Sequence, residues 1–314
     1  MLLSNRTVQV FEMRDLVRHW FKNNGRAGWH AVEAIEAAHV RDEVGTFGLE
    51  HLPDRLVCLF HIAMPLGIGV HIETSETTRE GLGDAIAIAK ATDATSVRCY
   101  PRYEARVSEI NAKTISDLKQ LVEFDPEATL LFTLEQHEDL TSPELVHIIE
   151  SVGNPTLSLL FDFGNMVNAH ERPLEALATQ SAHITQVHIK DCWVTPDRGG
   201  WAQLGCVSGT GHLPFSELLL GLLLLGEDAP QVTAFALEEE ADYFAPAMRF
   251  PNEEDDPLIK FRTSSLPPGE DAGLDERLQR ERDEAVAQVA YVRGLLDQFE
   301  QAANETAAKA KTVA

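Results

Sequence analysis

Short runs of apolar residues recur along the chain, and each is followed by a segment whose apolar residues repeat with helical spacing. This alternation is typical of a parallel sheet whose strands are connected by helices. It predicts eight strands: Thr7–Phe11, Thr46–Glu50, Gly67–Glu73, Ser96–Tyr100, Thr129–Gln136, Leu157–Asp162, Ile184–Lys190 and Val232–Glu238. The intervening predicted helices include Ala31–Arg41, Gly81–Ala91, Ile115–Glu123, Pro143–Val152 (with Ser142 as N-cap) and Phe215–Leu225. The pattern therefore predicts an α/β fold, a (β/α)8 TIM barrel.

The pattern changes after the eighth predicted strand. A long connection, Ala241–Asp271, contains the acidic run Glu253–Asp256, and from Gly273 onward the apolar spacing is that of a continuous helix. We therefore predict a barrel over residues 1–268 and a C-terminal helical extension over residues 269–314, packed on the barrel or on a partner subunit. The apolar segment Leu218–Leu225 is too short to span a membrane and suits a buried helix or a subunit interface, so a homo-oligomer is expected.

Composition narrows the possible partners and the compartment. The 314 residues are 44% hydrophobic and 24% charged, as in an ordinary globular protein, and the net charge is −24. Such an excess of negative charge repels phosphate backbones and anionic lipid surfaces, so neither nucleic acid nor a membrane is expected as a partner. The four cysteines form no Cys-x-x-Cys pair, and no secretory signal is recognised. These features predict a cytoplasmic protein.

Candidate metal ligands lie where four of the predicted strands end. Glu135, Asp162, His188 and Glu238 occupy or closely precede the carboxyl ends of consecutive predicted strands, which meet at the mouth of a barrel. Three carboxylates and an imidazole suit one divalent cation, Mn²⁺, Mg²⁺ or Co²⁺, with Zn²⁺ or Fe²⁺ as further options. Three converging buried anions require such a cation. The alternative is that each residue separately accepts hydrogen bonds from loop amides.

Five segments make the chain resemble the xylose-isomerase-like TIM barrels of the sugar phosphate isomerase/epimerase family. They are LEQHEDLTSPEL (Leu134–Leu145), FDFGN (Phe161–Asn165), VHIKD (Val187–Asp191), GTGHLPF (Gly209–Phe215) and ALEEE (Ala236–Glu240). The resemblance implies that Glu135, Asp162, His188 and Glu238 bind one divalent cation. It also implies that Glu135 and Glu238 are the catalytic acid and base of an isomerase or epimerase that acts on a small keto-sugar through a metal-stabilised enediolate.

Two positions depart from the ketose 3-epimerases of this family. Asn165 replaces a histidine three positions after the metal aspartate, and Val194 replaces an arginine six positions after the metal histidine. The sequence is in this respect closer to the wider group that includes hydroxypyruvate and inosose enzymes, dehydratases and decarboxylases. A metal-dependent lyase acting on an oxo-sugar acid is therefore the alternative function, and a non-catalytic sugar-binding barrel is a third.

Further polar residues share strand parity with the predicted ligands or follow the strands. Those assigned to substrate binding are His71, Arg98, His137 and Lys190, with Glu73 as a further candidate. The alternatives are an internal ion pair for the strand residues, a structural histidine for His137, and a salt bridge from Lys190 to an acid such as Asp191. Others in the loops are Arg249 and Arg262, for an anionic group or for neutralising the acidic run, and Trp193 and Trp201, for a wall over the substrate or for packing.

Overall fold

A computed structural model describes residues 69, 71–240, 243–261 and 273–313. Six strands form one parallel sheet in the order β1-β2-β3-β4-β5-β8. Their bounds are β1 His71–Thr74, β2 Ser96–Cys99, β3 Leu131–Glu135, β4 Leu157–Asp162, β5 Ile184–Ile189 and β8 Ala234–Leu237. Each lies within or close to a predicted strand. The predicted strands Thr7–Phe11 and Thr46–Glu50 and the predicted helix Ala31–Arg41 lie outside the described residues.

Helices connect these strands and cover the outer face of the sheet. They are α1 Arg79–Ala91, α2 Val107–Leu118, α3 Leu121–Phe124, α4 Ser142–Val152, α5 Asn165–Asn168, α6 Pro173–Gln180, α7 Phe215–Leu223 and α8 Leu274–Val313. The prediction of one helix over Ile115–Glu123 is wrong, because the structure has two helices there. α2 begins eight residues earlier, and a tight turn in which the Gln120 N–H donates to Asp117 O separates it from α3. The apolar side of each longer helix, such as Leu145, Ile148 and Ile149 of α4, is buried in the core.

The start of α4 differs from the prediction by one residue. Thr141, not Ser142, is the N-cap, and its backbone N–H donates to the Glu144 carboxylate at 2.7 Å. The backbone N–H and hydroxyl of Ser142 donate instead to the carboxylate of Glu171, at 2.8 and 2.9 Å. Both carboxylates thus satisfy N–H groups that a helix leaves free at its first turn.

A second, antiparallel sheet follows β5 directly and was not predicted. It contains β6 Asp191–Asp197, β7 Gly200–Cys206 and β9 Phe244–Ala245. The two residues between β6 and β7, Arg198 and Gly199, have φ values of +53° and +96°, which is the backbone of a type I′ hairpin turn. The hairpin brings β7 against α5, beside the carboxyl end of β4.

The long helix α8 packs against the end of β8. Val292 and Leu295 are buried in the core, and the Gln288 side chain donates to Ile189 O at 2.9 Å and to Glu238 O at 3.2 Å. The helical part of the predicted extension therefore contacts the barrel, while the domain boundary at residue 268 stays a prediction. Among the described residues, no helix has the length and apolarity needed to cross a membrane.

Candidate metal centre and its surroundings

The four predicted metal ligands lie at the carboxyl ends of four neighbouring strands. Glu135 ends β3, Asp162 ends β4, His188 is the penultimate residue of β5, and Glu238 directly follows β8. Asp162 and His188 are cross-strand partners. Because side chains alternate between the two faces of a strand, the shared register turns these residues toward one side of the sheet. Glu135, Asp162 and His188 are buried, and the Glu238 side chain is 18% exposed.

The four side chains meet around one ring nitrogen. His188 Nδ1 lies 3.4 Å from Glu135 Oε1, 3.5 Å from Glu238 Oε2 and 4.0 Å from Asp162 Oδ2. One ligand atom from each of Glu135, Asp162 and His188 lies within 4.8 Å of the others, so these three residues can hold a metal ion. Glu238 reaches the same point through its contact with His188.

The donor atoms of the centre have few partners within the protein. His188 Nδ1 is buried and makes no hydrogen bond within the described part of the chain, while the buried oxygens Glu135 Oε2 and Asp162 Oδ2 have ion-pair contacts only, with Arg98 at 3.0 Å and Lys190 at 3.2 Å. The other oxygen of Asp162 accepts from the backbone N–H groups of Gly164 and Asn165, at 2.8 and 2.9 Å, which fixes its carboxylate. Buried polar atoms are normally paired, and carboxylate and imidazole donors are what a divalent cation binds. The residues present therefore fit such an ion.

The surrounding charges and burial lower the pKa of one carboxylate of the centre and raise that of another. Burial favours the neutral form of Glu135, but Arg98 and His188 outweigh burial and lower its pKa to about 2. Burial raises the pKa of Asp162 to about 6 despite Lys190. Burial also favours neutral His188, but Glu238 and Glu135 raise the pKa of this imidazole above its ordinary value. Without a metal the centre thus keeps protons, which a divalent cation would displace.

Arg98 lies between two of the carboxylates. Its Nη2 donates to Glu73 Oε2 at 2.7 Å, and its Nη1 is 3.0 Å from Glu135 Oε2. The other oxygen of Glu73 is 3.2 Å from His188 Nε2. Arg98 was predicted to bind substrate, with an internal ion pair as the alternative, and the structure places its guanidinium in such an ion pair.

Lys190 is enclosed on the other side of the centre. Its Nζ is 2.9 Å from Glu240 Oε2 and 3.2 Å from Asp162 Oδ2, and it donates to Asn165 Oδ1 at 3.0 Å. The sequence offered Asp191 as its alternative partner, but Asp191 instead accepts from the backbone N–H groups of Cys192, Gly209 and Gly211. The glycines of the Gly209–Gly211 segment are therefore engaged by a carboxylate of the protein.

The two predicted histidines lie near the same group of charges. His71 Nδ1 is 2.5 Å from Ser96 Oγ and its Nε2 is 3.8 Å from Glu73 Oε1, and burial lowers the pKa of this ring to about 4. His137 stacks on Tyr100 with ring centroids 3.9 Å apart, and burial lowers its pKa. Both rings thus favour the neutral form, in which each can donate and accept a hydrogen bond.

Sequence reasoning missed two residues of the site. Glu240 has the strand parity of Glu238, which is a signal that was available in the ALEEE segment. Gln203 belongs to the unpredicted hairpin, and its amide donates to Asn165 Oδ1 at 3.1 Å. Gly164 makes this approach possible, because a Cβ there would lie 2.4 Å from Gln203 Oε1 and 3.2 Å from Lys190 Cε. The hairpin therefore completes one wall of the centre.

Of the loop residues that were considered for substrate contacts, those that the structure describes are not among the residues that surround His188. Arg249 pairs with Glu253, as one of the sequence alternatives stated, and also with Glu144. Trp193 and Trp201 lie on the hairpin and are 47% and 41% exposed. Arg262 lies outside the described residues.

Residues 19–231, more than half of the chain, match the family described as xylose isomerase-like TIM barrel. The chain therefore belongs to this family, and the predicted barrel fold is confirmed. The Escherichia coli K12 protein YihM, which is described as uncharacterized, is 45% identical over 260 residues, 82% of this chain and 80% of YihM.

Two further similarities extend this comparison. The 3-oxo-isoapionate decarboxylase of Pectobacterium atrosepticum is 24% identical over 168 residues, which cover 53% of this chain and 61% of that enzyme. The crystal structure of a D-tagatose 3-epimerase-like protein superposes with a TM-score of 0.56 at 17% identity, covering 82% of this chain and 88% of the other. At this level of identity the superposition establishes the fold alone.

Proposed function

We propose that this protein is a divalent-metal-dependent isomerase or epimerase of a small keto-sugar or a related hydroxy-carbonyl compound. The observation that carries the proposal is the placement of Glu135 and Glu238. These carboxylates come from strands separated by β4 and β5, yet each lies within 3.5 Å of the same atom, His188 Nδ1. Two carboxylates that flank one point are what is needed to remove a proton from one face of a substrate carbon and return it to the other.

The protein side of the reaction follows from the charges around these glutamates. Arg98 lowers the pKa of Glu135 against the effect of burial, and His188 and Lys190 do the same for Glu238, so both are ionised and able to accept a proton. A divalent cation held by Glu135, Asp162, His188 and Glu238 would polarise the carbonyl and stabilise the enediolate that proton removal leaves on the substrate. Mn²⁺, Mg²⁺ and Co²⁺ suit this donor set best.

The substrate recognition that we propose differs from that of ketohexose 3-epimerases. Asn165 stands where those enzymes carry a histidine, and its side-chain oxygen is occupied by Lys190 and Gln203. Val194, at the position of their arginine, lies on the hairpin and donates its backbone N–H to His212 Nδ1. We propose His71 and His137 as substrate-binding residues, because their rings are neutral and lie beside Glu73 and Tyr100.

A lyase that acts on an oxo-sugar acid is the second candidate. Lys190 favours it, because its buried ammonium lies 3.7 Å from Glu238 Oε2, where an acid that protonates a carbanion or a leaving hydroxyl would be needed. The partial similarity to a 3-oxo-isoapionate decarboxylase is consistent with this chemistry. An isomerase conserves the mass of the substrate and exchanges a carbon-bound hydrogen with solvent, whereas a lyase releases carbon dioxide or water.

The first test is the metal content of the protein purified without chelators, beside the His188→Ala variant. We expect about one divalent metal per chain in the wild type and its loss in the variant, because His188 Nδ1 is at the centre of the ligand group. A wild type that takes up no metal, even with added Mn²⁺, would remove the basis of the proposal. Keto-sugars and oxo-acids are then screened in D₂O by mass spectrometry and for carbon dioxide release.

The second test is Glu238→Gln, which removes the charge and keeps the shape of the side chain. We expect turnover to fall by about 10²- to 10⁴-fold or more, the usual contribution of an acid–base group, and metal binding to weaken. The control is Glu150→Gln on α4, whose side chain is 65% exposed and lies outside the centre. Full activity of Glu238→Gln would contradict the mechanism.

We propose the cytoplasm as the location and a small molecule as the partner, with no role for nucleic acid. The negative net charge and the free thiols of Cys99, Cys192 and Cys206 support this. The exposed leucines Leu220 on α7 and Leu224 directly after it support a homo-oligomer. Light scattering on the purified full chain tests the oligomeric state.

A further inference from the structure

We propose that Glu73 and Arg98 are a positioning pair that holds Glu135 and His188 in place for metal binding and proton transfer. The pair touches two residues of the centre from outside the ligand group: Arg98 contacts Glu135, and Glu73 contacts His188. The inference rests on the proposed metal-dependent function and adds to it the residues that set the geometry of the site. It also assigns Arg98 to positioning in place of substrate binding.

The sheet register brings the pair together. Glu73 of β1 and Arg98 of β2 are direct cross-strand partners, and the next partner of Arg98, on β3, is Thr133. Glu135 is two residues beyond Thr133 and so has its side chain on the same face of the sheet. The Arg98 guanidinium therefore reaches a carboxylate on each neighbouring strand, at 2.7 Å to Glu73 and 3.0 Å to Glu135.

The guanidinium is held on several sides. It is 8% exposed, and its Cζ lies 5.2 Å from the ring centroid of Tyr100, which itself stacks on His137. A planar guanidinium that contacts a carboxylate on each neighbouring strand and has an aromatic ring beside it has a more defined orientation than an ammonium on a flexible stem. Arg98 therefore restricts the rotation of the Glu135 carboxylate.

Glu73 extends this restraint to His188. β1 and β5 are not neighbours in the sheet, so the 3.2 Å contact between Glu73 Oε1 and His188 Nε2 joins opposite parts of it. A carboxylate on Nε2 keeps the proton of a neutral imidazole there and leaves the lone pair of Nδ1 for the centre. Glu73 thus selects the tautomer and the ring orientation that metal binding by Nδ1 requires.

The test measures metal binding directly, so it does not depend on knowing the substrate. Mn²⁺ dissociation constants are measured by calorimetry, and the visible absorption of the Co²⁺-loaded protein is recorded, for the wild type, Glu73→Gln, Arg98→Met and Arg98→Lys. We expect the dissociation constant to rise by about 10- to 100-fold in Glu73→Gln and Arg98→Met, the usual effect of removing an outer-sphere partner of a ligand. The Co²⁺ spectrum should also change, because it reports the ligand geometry.

The conservative variant and a remote control separate positioning from general damage. Arg98→Lys should recover part of the affinity and little of the spectrum, since it restores the charge but not the two-sided geometry. The control is Arg249→Met, another buried arginine with two carboxylate partners, which should keep the Mn²⁺ dissociation constant within about twofold. If Arg98→Met fails to fold, the nearly isosteric Glu73→Gln still decides the question.

Two results would overturn the inference. One is wild-type affinity and a wild-type Co²⁺ spectrum in both Glu73→Gln and Arg98→Met. The other is an equal loss of affinity in Arg249→Met, which would make the effect global. Failure of the proposed function has a different signature, because the wild type itself would then bind neither Mn²⁺ nor Co²⁺.

Discussion

Arg98 and Arg249 are two buried arginines with nearly the same immediate surroundings. Each is 8% exposed and contacts two carboxylates. Arg98 lies 2.7 Å from Glu73 and 3.0 Å from Glu135, and Arg249 lies 2.9 Å from Glu144 and 2.7 Å from Glu253. The ion pairs by themselves do not tell a structural arginine from one at a functional site.

The difference lies in what else the carboxylates do. Around Arg249, Glu144 also accepts the N–H of the α4 N-cap and Glu253 accepts the N–H of Phe250, so the carboxylates are shared with the backbone. Around Arg98, Glu73 Oε1 lies 3.2 Å from His188 Nε2 and Glu135 Oε1 lies 3.4 Å from His188 Nδ1, so each carboxylate contacts a candidate metal ligand as well as the arginine. Arg249 and its two carboxylates, which also bind backbone N–H groups, therefore form a structural clamp, whereas Arg98 and its two carboxylates belong to the candidate metal centre.

The largest effect on stability is expected at the clamp. Arg249→Met leaves Glu144 and Glu253 without their common cation, and breaking a buried ion pair on one side costs about 3 kcal/mol or more. Urea unfolding measures this loss, which should be the same with and without Mn²⁺, because Arg249 is not part of the metal centre. A loss below about 1 kcal/mol would mean that the two arginines differ less in structural role than their partners suggest.

Metal-dependent stabilisation should separate the same two arginines. At free Mn²⁺ of 100 times the wild-type dissociation constant, binding adds about 2.7 kcal/mol to the free energy of unfolding. Arg249→Met should gain the same amount. Arg98→Met, with an affinity 100-fold weaker, should gain only about 0.4 kcal/mol. Paired urea titrations measure both gains, and equal gains would remove the distinction between clamp and site.

A smaller effect concerns pH and the buried Asp139, whose backbone carbonyl accepts from Arg249. The arginine does not pair with its carboxylate, and burial raises the pKa of Asp139 to about 7. In the unfolded chain that pKa is about 3.9, so the native state keeps a proton between pH 4 and pH 7, and stability falls as pH rises through this window.

The measurement is the stability difference between the wild type and Asp139→Asn. Between pH 6 and pH 8 the free energy of unfolding of the wild type should fall by about 1.4 kcal/mol relative to that of the variant, because the variant has no carboxyl group to ionise. Glu135 provides the contrast, because Arg98 holds its pKa at about 2 and it stays ionised over the same range. A difference that does not change with pH would contradict the assigned protonation of Asp139.

The sequence predicted the six parallel strands that the structure describes with errors of a few residues at their ends, because each is a short apolar run with a polar end. The β6–β7 hairpin was missed although Gly199 and Gly200 marked a turn, since its strands carry mixed polar and apolar residues. The predicted helix Ile115–Glu123 failed for a similar reason, because periodicity continues across the break between α2 and α3. The local pattern of apolar and polar residues indicates which positions are buried, but it does not locate breaks in the backbone well.

The candidate site likewise has a part that the sequence could predict and a part that it could not. That Glu135, Asp162, His188 and Glu238 meet follows from strand ends and sequence spacing, because the carboxyl ends of parallel strands share one edge. The partners of Arg98 and Lys190 do not follow from spacing. Arg98 lies between Glu73 and Glu135, and Lys190 contacts Glu240 in place of Asp191.

By itself, the sequence determined the barrel class and the group of acidic and imidazole residues at its mouth, since both depend on short-range periodicity and on where strands end. The tertiary structure alone decided which carboxylates pair with the buried Arg98 and Lys190 and which of them also contact His188. Those contacts join side chains on β1, β3 and β5 with one another and with the β6–β7 hairpin, which belongs to the second sheet. They depend on strand register and on packing across the sheet. Both are set by residues that are distant in sequence and that meet only when the chain is folded.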